Sequence, residues 1–186
     1  MPYPTPDPLE APESFATARL LLRKPREEDA ALIFAAYGQD PEVTRYLMWR
    51  PHRDVNDAQE AVGRFLEGWR SGKSFCWLLF RRDGGELVGS VAARPEQGIN
   101  LGYLLARPFW GQGLMNEALA AVIDWAFSDP SVFRVWAVCD VENRASAHVL
   151  EKSGFAHEGL LKKWSLHPNV SSIPRDCFCY ARTRET

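Results

Sequence analysis

The chain has 186 residues, 46% of them hydrophobic, with 22 Lys and Arg against 24 Asp and Glu and a formal net charge of −2. That length suits one domain with its own core and no covalent staples. Charges of both signs are scattered and no apolar run approaches the roughly 20 residues of a membrane helix, so neither nucleic acid nor a membrane is the expected partner.

Residues 1–16 carry Pro2, Pro4, Pro6, Pro8 and Pro12 and no Lys or Arg. This is the wrong composition for a secretory signal, and it reads as an extended or disordered lead-in to a single domain over 17–186, with a cytoplasmic location expected. Leu20, Leu21 and Leu22 form a short strand between Arg19 and Arg23 that ends at Pro25, and Glu27, Glu28 and Asp29 open a helix to about Tyr37. Residues 41–57 lack a period but expose large side chains, among them Tyr46, Met48, Trp49 and His52. From Ala58 to Ser71, Ala61, Val62, Phe65, Leu66 and Trp69 recur at helical spacing until Gly72. Ser74 to Arg82 and Leu87 to Ala93 are strands, and the turn residues Asp83, Gly84 and Gly85 make them an antiparallel hairpin.

The second half alternates strand and helix: a strand over 99–105, a Pro/Gly-bounded loop over 107–113, a helix over 114–127, a strand over 134–139 and a helix over 143–153. Strand, helix, strand at this spacing is a βαβ crossover, which makes its two strands parallel. Val135 to Cys139 is apolar on both faces, as a central strand covered on both sides must be. Closing strands follow over 155–166 and 177–183. The predicted fold is α/β: a mixed, mostly antiparallel sheet with a central parallel pair and helices on both faces. Cys76, Cys139, Cys177 and Cys179 lie in strand-like runs without Cys-x-x-Cys spacing, which reads as buried, reduced thiols and no metal site. None is expected beside a histidine as a nucleophile would be.

The loop Arg107-Pro108-Phe109-Trp110-Gly111-Gln112-Gly113 leads from the parallel strand into a helix whose first amides are unpaired. Those amides and the helix dipole suit phosphate oxygens, and glycines at 111 and 113 let the backbone approach an anion closely. Taken by itself, Gly-x-Gly is a weak signal and a purely structural turn accounts for it better. The dinucleotide Gly-x-Gly-x-x-Gly is excluded because position 116 is Asn, and a Walker loop would need Gly-Lys-Ser/Thr.

From Phe109 to Leu119 the sequence resembles the coenzyme A pyrophosphate loop of Gcn5-related N-acetyltransferases, in the branch of the ribosomal-protein N-terminal acetyltransferases. The likeness extends to the Arg19–Arg23 strand, to Ile99-Asn100-Leu101-Gly102-Tyr103, and to Asn143-x-x-Ser146 running into Gly154-Phe155. Pro108 stands where the family motif begins with Gln or Arg. The resemblance implies acetyl-CoA as acyl donor, larger groups such as succinyl being left open, and an amine acceptor that is a small molecule or a peptide. No metal is implied, and the state is monomer or homodimer. It implies pyrophosphate on the backbone of Trp110, Gly111, Gln112, Gly113, Leu114 and Met115, and an amide near Leu104 or Leu105 on the thioester carbonyl.

Asn143 reads as a helix N-cap, and the resemblance adds contact with the coenzyme. Ser146, one turn on, is the candidate acid for the departing thiolate, because the Tyr many relatives carry seven residues after the Asn is Leu150 here. Its plain reading is an ordinary helix hydroxyl. Tyr103 is a core or a pocket aromatic. Asn100 replaces a frequent Glu and at most positions a water, and an acidic base found in some relatives near Ser165 is missing. These gaps leave the general base unassigned and keep a non-catalytic acyl-CoA-binding module as the alternative. The segment 46–52 falls, by resemblance, on the acceptor side, and its aromatic, weakly charged surface favours an α-amine over a polycationic aminoglycoside.

Overall fold

The computed structural model of the chain describes residues 9–184. Its strands are β1 (Ser14–Ala16), β2 (Leu20–Arg23), β3 (Phe75–Arg81), β4 (Leu87–Pro95), β5 (Ile99–Leu105), β6 (Arg134–Asp140), β7 (Ala156–Ser165) and β8 (Arg175–Thr183). Five helices are α1 (Ala30–Ile33), α2 (Pro41–Thr44), α3 (Val55–Ser71), α4 (Leu114–Ser128) and α5 (Arg144–Lys152). Strands form one sheet in the order β1-β2-β3-β4-β5-β6-β8-β7. Neighbours are antiparallel except β5 and β6, which run parallel.

The expected lead-in is in part sheet. Ser14–Ala16 pairs with β2, the Pro12 carbonyl accepts from Trp77 Nε1 at 2.8 Å and the Glu10 carbonyl from Trp125 Nε1 at 3.0 Å. Indoles packed in a core need such acceptors, so the segment is held by the aromatic cluster beneath it. Residues 1–8 of that lead lie outside the described residues.

Helix ends follow the side chains that satisfy them. Asp54 Oδ1 accepts from the amides of Asn56 and Asp57, which starts α3 at Val55 rather than Ala58. Gly72, at φ 68°, ends it in the left-handed conformation that costs glycine little. The helix expected after Asp29 is broken in character: a 3₁₀ turn at Glu27–Asp29, then α1, then a π segment at Phe34–Gly38. Gly38 packs on His52, where an added Cβ would stand 2.7 Å from the ring Nδ1.

β3 is buried on both faces, so its side chains divide between two cores. Trp77 and Leu79 join Leu114, Leu119, Val122 and Ile123 of α4, while Leu78 and Phe80 join Ile33 of α1 and Ala58 and Val62 of α3. β8 inserts between β6 and β7, an order that local pattern does not reveal.

What positions the site is the parallel pair. β5 and β6 are in register only at Ile99↔Val135 and Asn100↔Trp136, although β5 stays paired with β4 to Leu105 and β6 with β8 to Asp140. The two halves of the sheet therefore part beyond Asn100 and open a wedge at the carboxyl ends of the parallel strands, the place where open α/β sheets accept ligands.

Candidate active site

α4 begins on the near side of that wedge. Its first intrahelical bond runs from the Glu117 amide to the Gly113 carbonyl at 3.2 Å, so the amides of Leu114, Met115 and Asn116 have no intrahelical acceptor. Gly111 and Gly113 sit at φ 73° and 72°, left-handed conformations that glycine adopts at little cost. Leu114 and Met115 bury their side chains in the core, so they offer backbone only. Trp110 is 46% exposed and donates from Nε1 to the Leu105 carbonyl at 2.7 Å, which staples the loop to the end of β5. Gln112 Nε2 donates to the Pro108 carbonyl, and Arg19 Nη1 donates to the Gln112 carbonyl at 2.9 Å.

Arg19 is a residue that sequence reasoning used only as the edge of a strand. Its guanidinium is held by Glu117 at 2.6 Å, and a Cβ on Gly113 would lie 3.8 Å from its Nη2. Burial pushes the Glu117 carboxyl up, but hydrogen bonds from Thr17 and Arg19 outweigh it and hold it below the usual range. The carboxylate is thus neutralised at the end of the helix where an anion would bind.

On the far side, Asn143 caps α5. Its Oδ1 accepts from the Ser146 amide at 3.1 Å, and its own amide donates to the Asp140 carbonyl at 2.9 Å. Ser146 Oγ lies 2.9 Å from the Tyr103 hydroxyl across the wedge, and that hydroxyl also reaches the Ser146 carbonyl at 3.3 Å. Tyr103 is therefore a pocket aromatic as well as a packed one. Burial pushes its phenol up, which keeps the proton in place as a hydrogen-bond donor at neutral pH.

Beyond this pair a cleft of about 510 Å³ continues between the sheet and α1 and α3. It is lined by Tyr46, Leu47, Met48, Trp49 and His52, by Leu104, Tyr103, Asn143 and Ser146, and by Asp140, Ser165 and His167. The structure thus brings together the expected acceptor segment, Leu104 and the α5 residues. Leu105, Trp110, Gly111, Gln112, Gly113, Leu114 and Met115 lie outside this lining and form the adjoining loop and helix start. Asn100 accepts from Arg94 Nη1 at 3.2 Å and lines the cleft.

Four groups here, Asp140, Arg175, His167 and Cys177, were not read from sequence as a unit. Asp140, 1% exposed, accepts from Arg175 Nε at 2.5 Å and Nη2 at 3.0 Å, and from the Glu142 amide at 2.9 Å. Burial raises its pKa, but these bonds win and hold the carboxylate below its ordinary range. His167 Nε2 is 3.8 Å from Asp140 Oδ2. It is also 3.7 Å from Cys177 Sγ, which corrects the expectation that no cysteine stands beside a histidine. The two meet because β8 lies against the loop after β7, a tertiary contact across ten residues. Cys177 is fully buried and its thiol is pushed up to about 11, chiefly by burial, so the contact does not yield a thiolate. Burial likewise raises Cys139 to about 11 and Cys76 to about 12. Cys179 departs from the expected burial and is half-exposed.

Burial also lowers the pKa of His52 and His167, so both rings are neutral at pH 7. His52 stacks on Trp49 with centroids 4.9 Å apart. Asn169 Nδ2 donates to the carbonyls of Thr44 and Trp49, both at 2.7 Å, and fixes that segment over the cleft. The lone signals for this group were the Asp140 strand end and the Pro168-Asn169 turn.

Residues 19–156 match the family model described as the acetyltransferase (GNAT) domain. The chain is 29% identical to the uncharacterized N-acetyltransferase YoaA of Bacillus subtilis, over 91% of this chain and 97% of that protein. It is 28% identical to the ribosomal protein uS5-alanine N-acetyltransferase of Escherichia coli, over 81% of each. The microcin C7 self-immunity acetyltransferase MccE, solved with acetyl-CoA and AMP, superposes with a TM-score of 0.84 at 17% identity, over 96% of this chain and all of that one. The chain belongs to the GNAT family of N-acetyltransferases.

Proposed function

We propose that this GNAT N-acetyltransferase carries an acetyl group from acetyl-CoA to the α-amine of a protein, peptide or small metabolite by direct attack. The observation that carries the reading is the wedge between β5 and β6, which runs from the unpaired amides at the start of α4 to the Tyr103–Ser146 pair. The residues present fit the coenzyme: positive-φ glycines and helix-start amides without intrahelical acceptors for the pyrophosphate, and the β6-facing edge of β5 at 101–105, left without a strand partner, for the pantetheine amides. The activated acyl group is what acetyl-CoA supplies when bound. In this reading Gly111 to Met115 hold the phosphates, a β5 amide near Leu104 polarises the carbonyl, and Asn143 fixes α5 so that Ser146 Oγ meets the departing sulfur. Tyr103, still protonated, backs the Ser146 hydroxyl as it gives up its proton.

The α-amine follows from the proton balance. Asp140 is locked by Arg175 and the lining histidines are weak bases, so nothing in the cleft is suited to deprotonate a lysine whose pKa is about 10.4, whereas an α-amine near 7.7 to 8.0 arrives partly neutral. The relative from Escherichia coli acts on an alanine of a ribosomal protein, which accords with this choice. Coenzyme release measured with matched α-amine and ε-amine peptides and an aminoglycoside tests it. The α-amine peptide should show the highest kcat/KM, and a higher value for the aminoglycoside would refute the assignment.

A further inference from the structure

The half of the cleft beyond Tyr103 carries two guanidiniums and a single carboxylate, Asp140, which Arg175 already holds. Arg94, on β4, is half-buried, and among the described residues it has no ion-pair partner. Its Nη1 donates to the neutral Asn100 Oδ1 at 3.2 Å. The guanidinium lies over Gly102, where a Cβ would stand 3.2 Å from Nη1 and 3.5 Å from Nη2. Glycine at 102 thus lets the cation lie close against β5 in the cleft lining. Arg64, on α3, has Glu60 at 3.8 Å as its carboxylate neighbour, with both side chains mostly exposed, a surface pair that holds it only weakly. Both histidines in the lining are neutral at pH 7, so the uncommitted charge of this space is positive.

A half-buried guanidinium without a counter-ion is costly and offers the planar fork that carboxylates fit. Asn100, Gly102 and Leu104 share one face of β5, so Arg94 lies about 7 Å, two residues of strand rise, from the Leu104 end where the acyl group is proposed to sit. We propose that the acceptor is an acidic α-amino compound, its carboxylate a few bonds from the amine and bound by Arg94 with Arg64 at the rim. A peptide with Asp or Glu among its first two residues, or a free amino acid, has that chemistry. The inference rests on the α-amine reading above and specifies it.

Matched tetrapeptides with Asp, Asn or Lys at the second position, together with free aspartate, test it through coenzyme release in wild type, R94Q, R94K and R64Q. The Asp peptide should exceed its Asn partner about tenfold in kcat/KM, the gain expected from one charge-assisted hydrogen bond. That ratio should collapse towards one in R94Q, return only in part in R94K, which keeps the charge but not the fork, and shrink in R64Q, which sits at an exposed position and carries the test if R94Q does not fold. Preference for the peptide over free aspartate assigns the bound group to a side chain, and the reverse assigns it to the α-carboxylate. Release that ignores charge, or a ratio unchanged in the arginine variants, overturns this inference alone. Release from no amine at all removes the α-amine reading and this inference with it.

Discussion

Replacing Gly113 by Leu separates the structural role of the loop from its proposed role in binding. Gly113 sits at φ 72°, and the nearest atom to an added Cβ is Arg19 Nη2 at 3.8 Å, an ordinary contact. The fold therefore meets only the left-handed backbone penalty, about 1–2 kcal/mol. For a chain of this size that lowers the Tm by about 2–8 °C, well inside the stability of a typical domain. Gly72 is the control: its φ is 68°, nothing lies within 4 Å of its Cβ position, and it ends α3, away from the wedge. Both variants should lose similar stability by thermal melting. Only Gly113→Leu should weaken acetyl-CoA, because its side chain stands at the N-cap of α4, beside the amides proposed to hold the phosphates. Loss of one charge-assisted hydrogen bond, about 1.5–3 kcal/mol, raises the Kd about tenfold to hundredfold by calorimetry. Equal affinities in the two folded variants would show that the pyrophosphate lies elsewhere.

Ser146→Ala should lower kcat about a hundredfold while the Kd for acetyl-CoA stays nearly constant, since a group that meets the leaving thiolate acts in the transition state; wild-type turnover would make Ser146 a helix residue only. Asn143→Ala should cost about 1 kcal/mol in urea unfolding through the lost cap, and an unchanged midpoint would remove it from that role. Asp140→Asn removes the buried half of the Arg175 ion pair, leaving the guanidinium to Glu142 at 3.0 Å, and should destabilise by about 1.5–3 kcal/mol, the worth of a charge-assisted hydrogen bond, as read by urea unfolding. Stability should fall as pH drops below about 6.5, because the unfolded histidines take up protons that the buried rings of His52 and His167 resist. The carboxylates held low, Asp29, Glu117 and Asp140, keep their contribution above about 4 and lose it only in stronger acid. The double variant His52→Gln, His167→Gln should flatten the upper step, and a full-sized step in that variant would place it on other groups.

The glycine loop entering α4, the βαβ crossover and the cap at Asn143 are local features, and local chemistry announces them: φ preference, strand-helix-strand spacing, an Asn at a helix start. The wedge is not local. Nothing in Leu101–Leu105 or Ala137–Asp140 says that pairing stops at Asn100, because each strand remains satisfied by its other neighbour, β4 or β8. Tyr103 and Ser146 are 43 residues apart in sequence and meet only across that opening. Arg64 and Arg94 look in sequence like ordinary surface charges, and the fold sets them apart by placing both in the cleft lining, Arg94 without a carboxylate partner among the described residues and Arg64 with only the exposed Glu60. The Asp140, His167, Cys177 and Arg175 group draws on three elements whose order, with β8 inside β7, the sequence pattern leaves open.

Two forces set the proton balance of the cleft's acids and bases, and together they limit the chemistry those groups can do. Burial keeps Tyr103 and Cys139 protonated and the two histidines neutral. Hydrogen bonding keeps Asp140 ionised but committed to Arg175. A site in that state holds donors that retain their protons and bases too weak to take one from a lysine. Rate enhancement must then come from holding an already neutral amine against the thioester and from donors aimed at the carbonyl and the departing sulfur. Position is the work left to the two arginines: an acceptor gripped by its carboxylate is oriented at a second point, and its amine enters the wedge from a fixed direction.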